Sequence, residues 1–226
     1  MKKSIGIIFA DDMEYKPFEE FAKQRGGETS ELCGCNKITL KMENATIHAI
    51  ESGIGKVNAT IATCVLKEQC GVQMILNAGL SGAVSGLARG DVAAGESYVE
   101  CDFDLRAFGY KQGQKPMGEY VYNADESLLS FALTIHGVKK AKLGTGDFFL
   151  ADSAKKVEYS SEFSINAFDM ESAAIAAACD KYKLPFLSVR KVSDDAEDGS
   201  IHDYREMNEK CESTLTEVLV KIIENI

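Results

Sequence analysis

Three short runs dominated by apolar side chains limit what this chain can become: residues 5–10 (IGIIFA), 72–78 (VQMILNA) and 185–192 (PFLSVRKV). A strand with one face in water alternates apolar and polar residues, whereas a run that is apolar at successive positions belongs to a strand covered on both faces. Such strands need helices above and below the sheet, and helical patterns lie between the runs. Residues 14–24 fit a short helix with Pro17 in its first turn, where a missing N–H is harmless. Residues 57–70 carry an apolar helical pattern, and 125–136 open on an Asp cap and close at Gly137. From Asp203 onward an amphipathic helix presents Leu215, Val218, Leu219, Ile222 and Ile223. Residues 36–42 and 45–51 alternate about Glu43-Asn44 and predict a hairpin, and 91–103 predict a longer strand. Strands alternating with helices give a three-layer α/β sandwich, with a central mixed, largely parallel sheet flanked by helices. At 226 residues the chain can bury one full core, so a single domain over 1–226 is expected.

Charge and cysteine usage exclude several classes of function. A net charge of -10 argues against nucleic acid and anionic membranes, because phosphate groups select basic surface. The seven cysteines (Cys33, Cys35, Cys64, Cys70, Cys101, Cys179, Cys211) are odd in number and scattered, which suits a reducing compartment and a cytoplasmic location. Cys33 and Cys35 form the one close pair. His48, His136 and His202 do not add ligands at matching spacing, so no metal is expected. Lys2 and Lys3 before an apolar run mimic the start of a signal peptide, but the run meets Asp11 and Asp12 instead of a cleavage site. No run approaches the ~20 apolar residues of a membrane span.

Glycine-rich segments invite cofactor readings that fail on spacing. Residues 52–56 (SGIGK) lack the first glycine of a P-loop, and Val57 stands where a Ser or Thr would bind magnesium. Gly79-Leu80-Ser81-Gly82 follows a buried strand without the dinucleotide fingerprint. No cofactor is expected. That turn either aims backbone N–H groups at a small ligand or is plain turn chemistry.

Residues 168–180 (FDMESAAIAAACD) read as strand, tight turn and helix. Glu171 sits where the helix opens, beside unpaired N–H groups and a positive dipole end that keeps a carboxylate ionised. Such a carboxylate is a bidentate acceptor for a sugar diol. Alternatively, Asp169 and Glu171 are only helix-start acids. Residues 142–147 (KLGTGD) lead into Phe148-Phe149-Leu150, an aromatic pair of the kind usually found in cores. Residues 104–118 form a long loop with exposed Phe108 and Tyr110. Arg190, inside an apolar strand, needs a partner or a ligand. Glu14, Gly79, Phe149, Glu171 and Asp194 all fall at the carboxyl ends of strands, where sheets of this kind bind ligands.

IGIIFADDME, SGIGKVNAT, NAGLSGAV, DLRAFGY, TGDFFL, FDMESAAIA and VRKVSDDA, in this order over nearly the whole chain, resemble the purine nucleoside phosphorylase and uridine phosphorylase superfamily. The best match is its hydrolytic branch, the 5'-methylthioadenosine/S-adenosylhomocysteine nucleosidases. That resemblance implies hydrolysis of the N-glycosidic bond of a 5'-substituted adenine nucleoside, in the context of methionine salvage. It implies that Glu14 positions the attacking water with Arg190 nearby, that Met170 and Glu171 hold the ribose, and that Asp194 protonates purine N7. It further implies base recognition by Phe149 and Leu150, and a wall around the 5' group from Ile54, Leu105, Tyr204 and Phe108. The last comes from a neighbouring subunit of a homodimer. Adenine leaves readily only when protonated, so Asp194 is expected to carry a proton through burial and neighbouring acids while Glu14 and Glu171 stay charged.

Water is favoured over phosphate as the acceptor. Phosphorylases of the superfamily gather arginines around the anion, one of them in the strand before the glycine turn. Here that strand has Asn77-Ala78, and the chain's arginines (Arg25, Arg89, Arg106, Arg190, Arg205) are few. Asp11 and Leu80 depart from the usual nucleosidase pattern, near the 5' tail and near the water and ribose. An acid at Asp11 would favour a polar or cationic tail such as that of S-adenosylhomocysteine. The alternatives are a phosphate-dependent purine nucleoside phosphorylase, a nucleosidase for futalosine-type or 5'-deoxyadenosine substrates, and a nucleoside-binding protein without turnover.

Overall fold

The computed structural model describes residues 2–118, 120–210 and 213–226. Its elements are β1 (Lys3–Phe9), α1 (Asp12–Lys23), β2 (Glu28–Leu32), β3 (Cys35–Lys41), β4 (Ala45–Glu51), α2 (Lys56–Cys70), β5 (Met74–Ala83) and β6 (Val92–Glu100). A 3-10 turn at Arg106–Phe108 precedes β7 (Val121–Asn123), α3 (Glu126–Ala132), β8 (Val138–Thr145), α4 (Ser153–Phe163), β9 (Ala167–Asp169), α5 (Ser172–Tyr182), β10 (Phe186–Asp194), α6 (Ile201–Glu209) and α7 (Thr214–Glu224).

The apolar runs become strands buried on both faces. In β1, Ile5, Ile7 and Phe9 enter one core while Ile8 enters a second. The same division separates Met74, Leu76 and Ala78 from Ile75 in β5, and Leu187 and Val189 from Phe186 in β10. The first core is closed by Phe18 of α1, Leu128 of α3 and Leu219 and Ile222 of α7; the second by Leu66 of α2 and Ile175 of α5. Each fully buried Leu or Ile contributes roughly 1.5–3 kcal/mol, so three layers follow directly from two apolar faces.

The sheet is mixed. β1 pairs in parallel with β4 and β5, and β5 in parallel with β10. β3 pairs antiparallel with both β2 and β4, the latter forming the expected hairpin. Farther on, β6 pairs antiparallel with β10 and in parallel with β8. β8 adds β9, and β9 returns antiparallel to the far end of β5, so β5, β10, β6, β8 and β9 close a ring.

Several elements differ from the sequence reading. α1 starts at Asp12, capped by Asp11 Oδ1 accepting from the Glu14 N–H at 2.9 Å, which puts Pro17 in the second turn. Gly79-Leu80-Ser81-Gly82 is not a turn but the continuation of β5, held extended by β10 and β9. α3 ends at Ala132, four residues short of His136. The single C-terminal helix is two, α6 and α7. β2 and α4 escape detection because their burial is sparse, with Tyr159 alone buried in α4, and β8 because its buried residues lie mostly in its second half, within the Gly-containing run 142–147. Tyr110 is half-buried, whereas Phe108 is exposed. Cys211 lies outside the described residues. Among the described residues, no helix is long and apolar enough to cross a membrane.

Candidate active site

β1, β5 and β10 run parallel, with Ile8 beside Asn77 and Arg190 beside Gly79. Their carboxyl ends therefore bring residues 10–14, 79–82 and 193–194 to one place, and a cavity of about 260 Å³ opens there. Asp11, Glu14, Glu171 and Asp194 line it with Phe149, Leu150 and Met170. Ile54, Leu80, Ser81 and Tyr204 are the other predicted residues in its lining. A roomier groove of about 670 Å³ between α1 and α7, lined by Glu20, Arg25, Glu217 and Lys221, is a solvated helix seam.

The acids of the FDMES segment divide two jobs between them. Asp169 Oδ1 accepts from the N–H groups of Glu171 (3.0 Å) and Ser172 (2.9 Å) and from Thr145 Oγ1 (2.8 Å). Thr145 Oγ1 in turn accepts from the Ala173 N–H at 3.0 Å. Together these two side chains satisfy the first turn of α5. Glu171 is thereby released from capping: its Oε1 accepts from the Gly55 N–H at 3.0 Å and its Oε2 from Arg190 at 3.4 Å.

Arg190 is almost fully buried and organises the floor. Its Nη2 donates to Asn77 Oδ1 at 2.6 Å, its Nη1 to the Leu80 carbonyl at 3.2 Å, and its Nε lies 3.3 Å from Asp169 Oδ2. Asn77 is fixed from the other side, donating to the Ile8 carbonyl at 2.9 Å. The buried charge thus has its partners within the protein, as burial requires. Gly79 lies under this group, where an added Cβ would stand 2.5 Å from Arg190 Nη1 and 2.6 Å from Glu14 Oε1. Glycine is needed there for close approach, not for a turn.

Glu14 Oε1 accepts from the Leu80 N–H at 2.7 Å and Oε2 from the Ala10 N–H at 3.0 Å. Burial, then the charge of Asp11, push its carboxyl up to about 8, against the pull of Arg190. The expectation that Glu14 stays charged near neutral pH thus runs against its surroundings, which favour the protonated form. Burial raises Glu171 too, with Arg190 opposing. Burial is the larger cause of both shifts, and because Asp169, Glu171 and Glu14 share one guanidinium, Arg190 offsets it only in part.

Asp194 is buried at the end of β10. Its carboxyl is raised, as expected, by burial, although Ser193 Oγ at 2.7 Å and the Ala196 N–H at 2.9 Å oppose the shift. The Ser193 hydroxyl also lies 3.2 Å from the Ser81 carbonyl. Donating there leaves its lone pair to accept from a protonated Asp194. Gly82 makes room, since an added Cβ would stand 2.9 Å from Asp194 Oδ1. Phe149 meets Tyr204 edge-on at 5.3 Å, and Tyr204 lies 3.3 Å from Asp11 Oδ2. This ties α6 across the mouth.

Leu105 and Phe108 are not brought to the cavity. Phe108 is 77% exposed, one of several bare apolar side chains that include Val57, Ile61 and Met117. Conversely, Ala10, Gly82, Phe148, Phe168, Ser193 and Ile201 line the cavity without having been singled out for it. Of the pair Phe148-Phe149 that reads as core from sequence, Phe148 packs against Phe168 at 5.1 Å, while Phe149 lines the cavity. The buried Ser81 hydroxyl has no protein partner among the described residues, as suits a group awaiting a ligand.

Comparison with known proteins shows the family and the fold. The model of the phosphorylase superfamily matches residues 4–224. The chain is 32% identical to the 5'-methylthioadenosine/S-adenosylhomocysteine nucleosidase of Bacillus subtilis (strain 168), covering 90% of this chain and 92% of that protein. It is 34% identical to the Anoxybacillus flavithermus protein of the same name, covering 84% and 85%. Among solved structures, a point mutant of Helicobacter pylori MTAN with 5'-methylthioadenosine in the active site superposes with a TM-score of 0.95, at 28% identity and full coverage of both chains. Futalosine hydrolase of Helicobacter pylori strain 26695 gives 0.94 at 27% identity, over 99% of this chain and 98% of that one.

Proposed function

The chain belongs to the 5'-methylthioadenosine/S-adenosylhomocysteine nucleosidase family of the phosphorylase superfamily, and from that premise we propose that it hydrolyses the N-glycosidic bond of 5'-substituted adenine nucleosides, releasing adenine. The observation that carries this reading is the convergence of Glu14, Glu171 and Asp194 on one cavity beside an apolar wall. Adenine lies against Phe149 and Leu150 with N7 at Asp194. The ribose sits on Met170 and Glu171, and water is held at Glu14 near Arg190.

Asp194 gives its proton to N7, the C1'–N9 bond breaks with its electrons going to the base, and the sugar becomes oxocarbenium-like. Water attacks C1' while Glu14 removes its proton. Glu14 bonds Leu80 and Asp194 abuts Gly82, so acid and base stand roughly 7–10 Å apart by strand rise. Inverting glycosidases use about 6.5–9.5 Å to fit a water between the two. A carboxyl pushed up to about 8 by burial is, once ionised, a stronger base than an ordinary carboxylate. Positive charge developing on the sugar favours ionised Glu14 and Glu171, so the acid surplus stabilises the transition state more than the ground state.

Hydrolysis rather than phosphorolysis is supported by Arg190, whose donors are met by Asn77, Leu80, Asp169 and Glu171, and by the acids that would repel a phosphate. The expected result is adenine release from methylthioadenosine in phosphate-free buffer, at a rate that added phosphate leaves unchanged. A rate that depends on phosphate would overturn it. In the same assay, Asp11 at the mouth favours the cationic tail of S-adenosylhomocysteine, giving it the higher kcat/KM; a strong methylthio preference would count against that role. The resemblance to futalosine hydrolase keeps a second substrate of the same chemistry in view, tested by competition.

We also propose a homodimer in which Phe108 reaches the partner's 5' site, supported by the exposed Phe108, Val57, Ile61 and Met117. Phe108→Ala is expected to raise KM several-fold with kcat little changed. A monomeric mass in light scattering would sink this arrangement. A cytoplasmic role in methionine salvage is supported by the family and by free Cys33, Cys35, Cys64, Cys70, Cys101 and Cys179; cell fractionation tests the location.

A further inference from the structure

Asp147 lies outside the cavity and has no part in the chemistry above, yet it joins the two segments that form opposite walls. Its carboxylate Oδ1 accepts from the Lys56 N–H at 2.8 Å, although the two residues are far apart in sequence. Its own N–H donates to Asp102 Oδ2 at 2.9 Å, and Asp102 Oδ1 holds Lys56 Nζ at 2.7 Å. Residues 146–150, which carry Phe149 and Leu150, are thus pinned to the start of α2.

Gly55 explains why this affects the sugar side. Gly55, at φ +96°, has no side chain with which to cap α2. Two consecutive N–H groups at that helix start therefore meet two different carboxylates, Gly55 with Glu171 and Lys56 with Asp147. A helix N-terminus carries several unpaired donors and attracts whichever anion is nearest. With Asp147 in place, the Lys56 N–H is satisfied and Glu171 contacts the helix through one oxygen only. Without Asp147, the unpaired Lys56 N–H competes for Glu171 and draws its carboxylate toward α2, away from the sugar.

We propose that Asp147 is a positioning residue that keeps Glu171 available to the ribose diol and holds the base wall in register with the sugar wall. This rests on the nucleosidase reading of the site, in which Glu171 binds the diol. A displacement on the scale of an ångström is enough to cost catalysis heavily.

The test pairs a protein change with a substrate change. Asp147→Ala, an exposed substitution that leaves both cores intact, is expected to lower kcat/KM for methylthioadenosine about tenfold, chiefly through KM. The penalty for removing the 3'-hydroxyl from the substrate should shrink by a similar factor, because Glu171 is already displaced. Asp147→Asn, whose Oδ1 can still accept from Lys56, should recover most of the loss. An undiminished 3'-hydroxyl penalty in Asp147→Ala overturns the proposal, even where activity falls. Amide hydrogen exchange provides a readout independent of turnover: residues 52–56 and 146–150 should exchange faster together in Asp147→Ala. Faster exchange confined to 146–150 also overturns the proposal. Should the wild-type protein release no adenine, the nucleosidase reading fails by itself, and the exchange measurement still decides whether the clasp exists.

Discussion

Replacing Asp194 by asparagine is expected to lower adenine release by about 10³-fold, roughly 4 kcal/mol of barrier, while nucleoside affinity stays within a few-fold. Asparagine is nearly isosteric with the protonated acid. Its oxygen can accept from the Ala196 N–H, and its amide can donate to Ser193 Oγ, whose hydroxyl then turns to the Ser81 carbonyl. The local hydrogen bonds therefore survive, and what disappears is a transferable proton. An anionic purine is a poor leaving group, so the chemical step bears the loss. Near-normal turnover in this variant would remove Asp194 from the mechanism, and a matching loss of affinity would make it a binding group instead.

Glu14→Gln is expected to reduce kcat by about 10³- to 10⁴-fold, because the amide cannot take the proton from attacking water. The same substitution has a second, opposite signature in stability. In the folded protein Glu14 titrates at about 8, above its ordinary value of 4.5. Below about 4.5 both folded and unfolded states hold the proton, and the group has no pH-linked effect. Between 4.5 and 8 the unfolded chain loses its proton first, so stability falls as pH rises, and the full cost is present above 8. Glutamine is free of this term. The stability difference between variant and wild type should thus move in the variant's favour by about 2 kcal/mol from pH 5 to pH 9. That figure takes roughly half of the shift, since the cavity admits water. Chemical denaturation at the two pH values measures it; a constant difference would mean that Glu14 is ionised in the free protein after all.

The legibility of this protein varied with how local each determinant is. The hairpin of β3 and β4, the cap of α3 by Asp125 and the start of α5 after Glu171 follow from neighbouring residues and are legible in the sequence. Gly79-Leu80-Ser81-Gly82 was misread because glycines favour turns when considered alone; pairing with β10 and β9 overrides that preference. Whether Asp169 and Glu171 were helix-start acids or sugar ligands was open in the sequence. In the structure Asp169 is a helix-start acid, sharing the cap with Thr145 from a different strand, while Glu171 makes no capping bond and lines the cavity. Asp147 stood within the TGDFFL motif, but nothing in that motif pointed to Lys56.

Residue order alone determined which runs are buried on two faces, hence the layered architecture, and which acid types stand after which strands. Hydrophobic periodicity and side-chain chemistry are properties of short segments, and they are the same in the chain as in the fold. The proton affinities of Glu14, Glu171 and Asp194 were decided only by tertiary structure. All three depend first on burial, and Glu14 and Glu171 also on the shared guanidinium of Arg190; electrostatic energies are set by distances and local dielectric between groups that are remote along the chain.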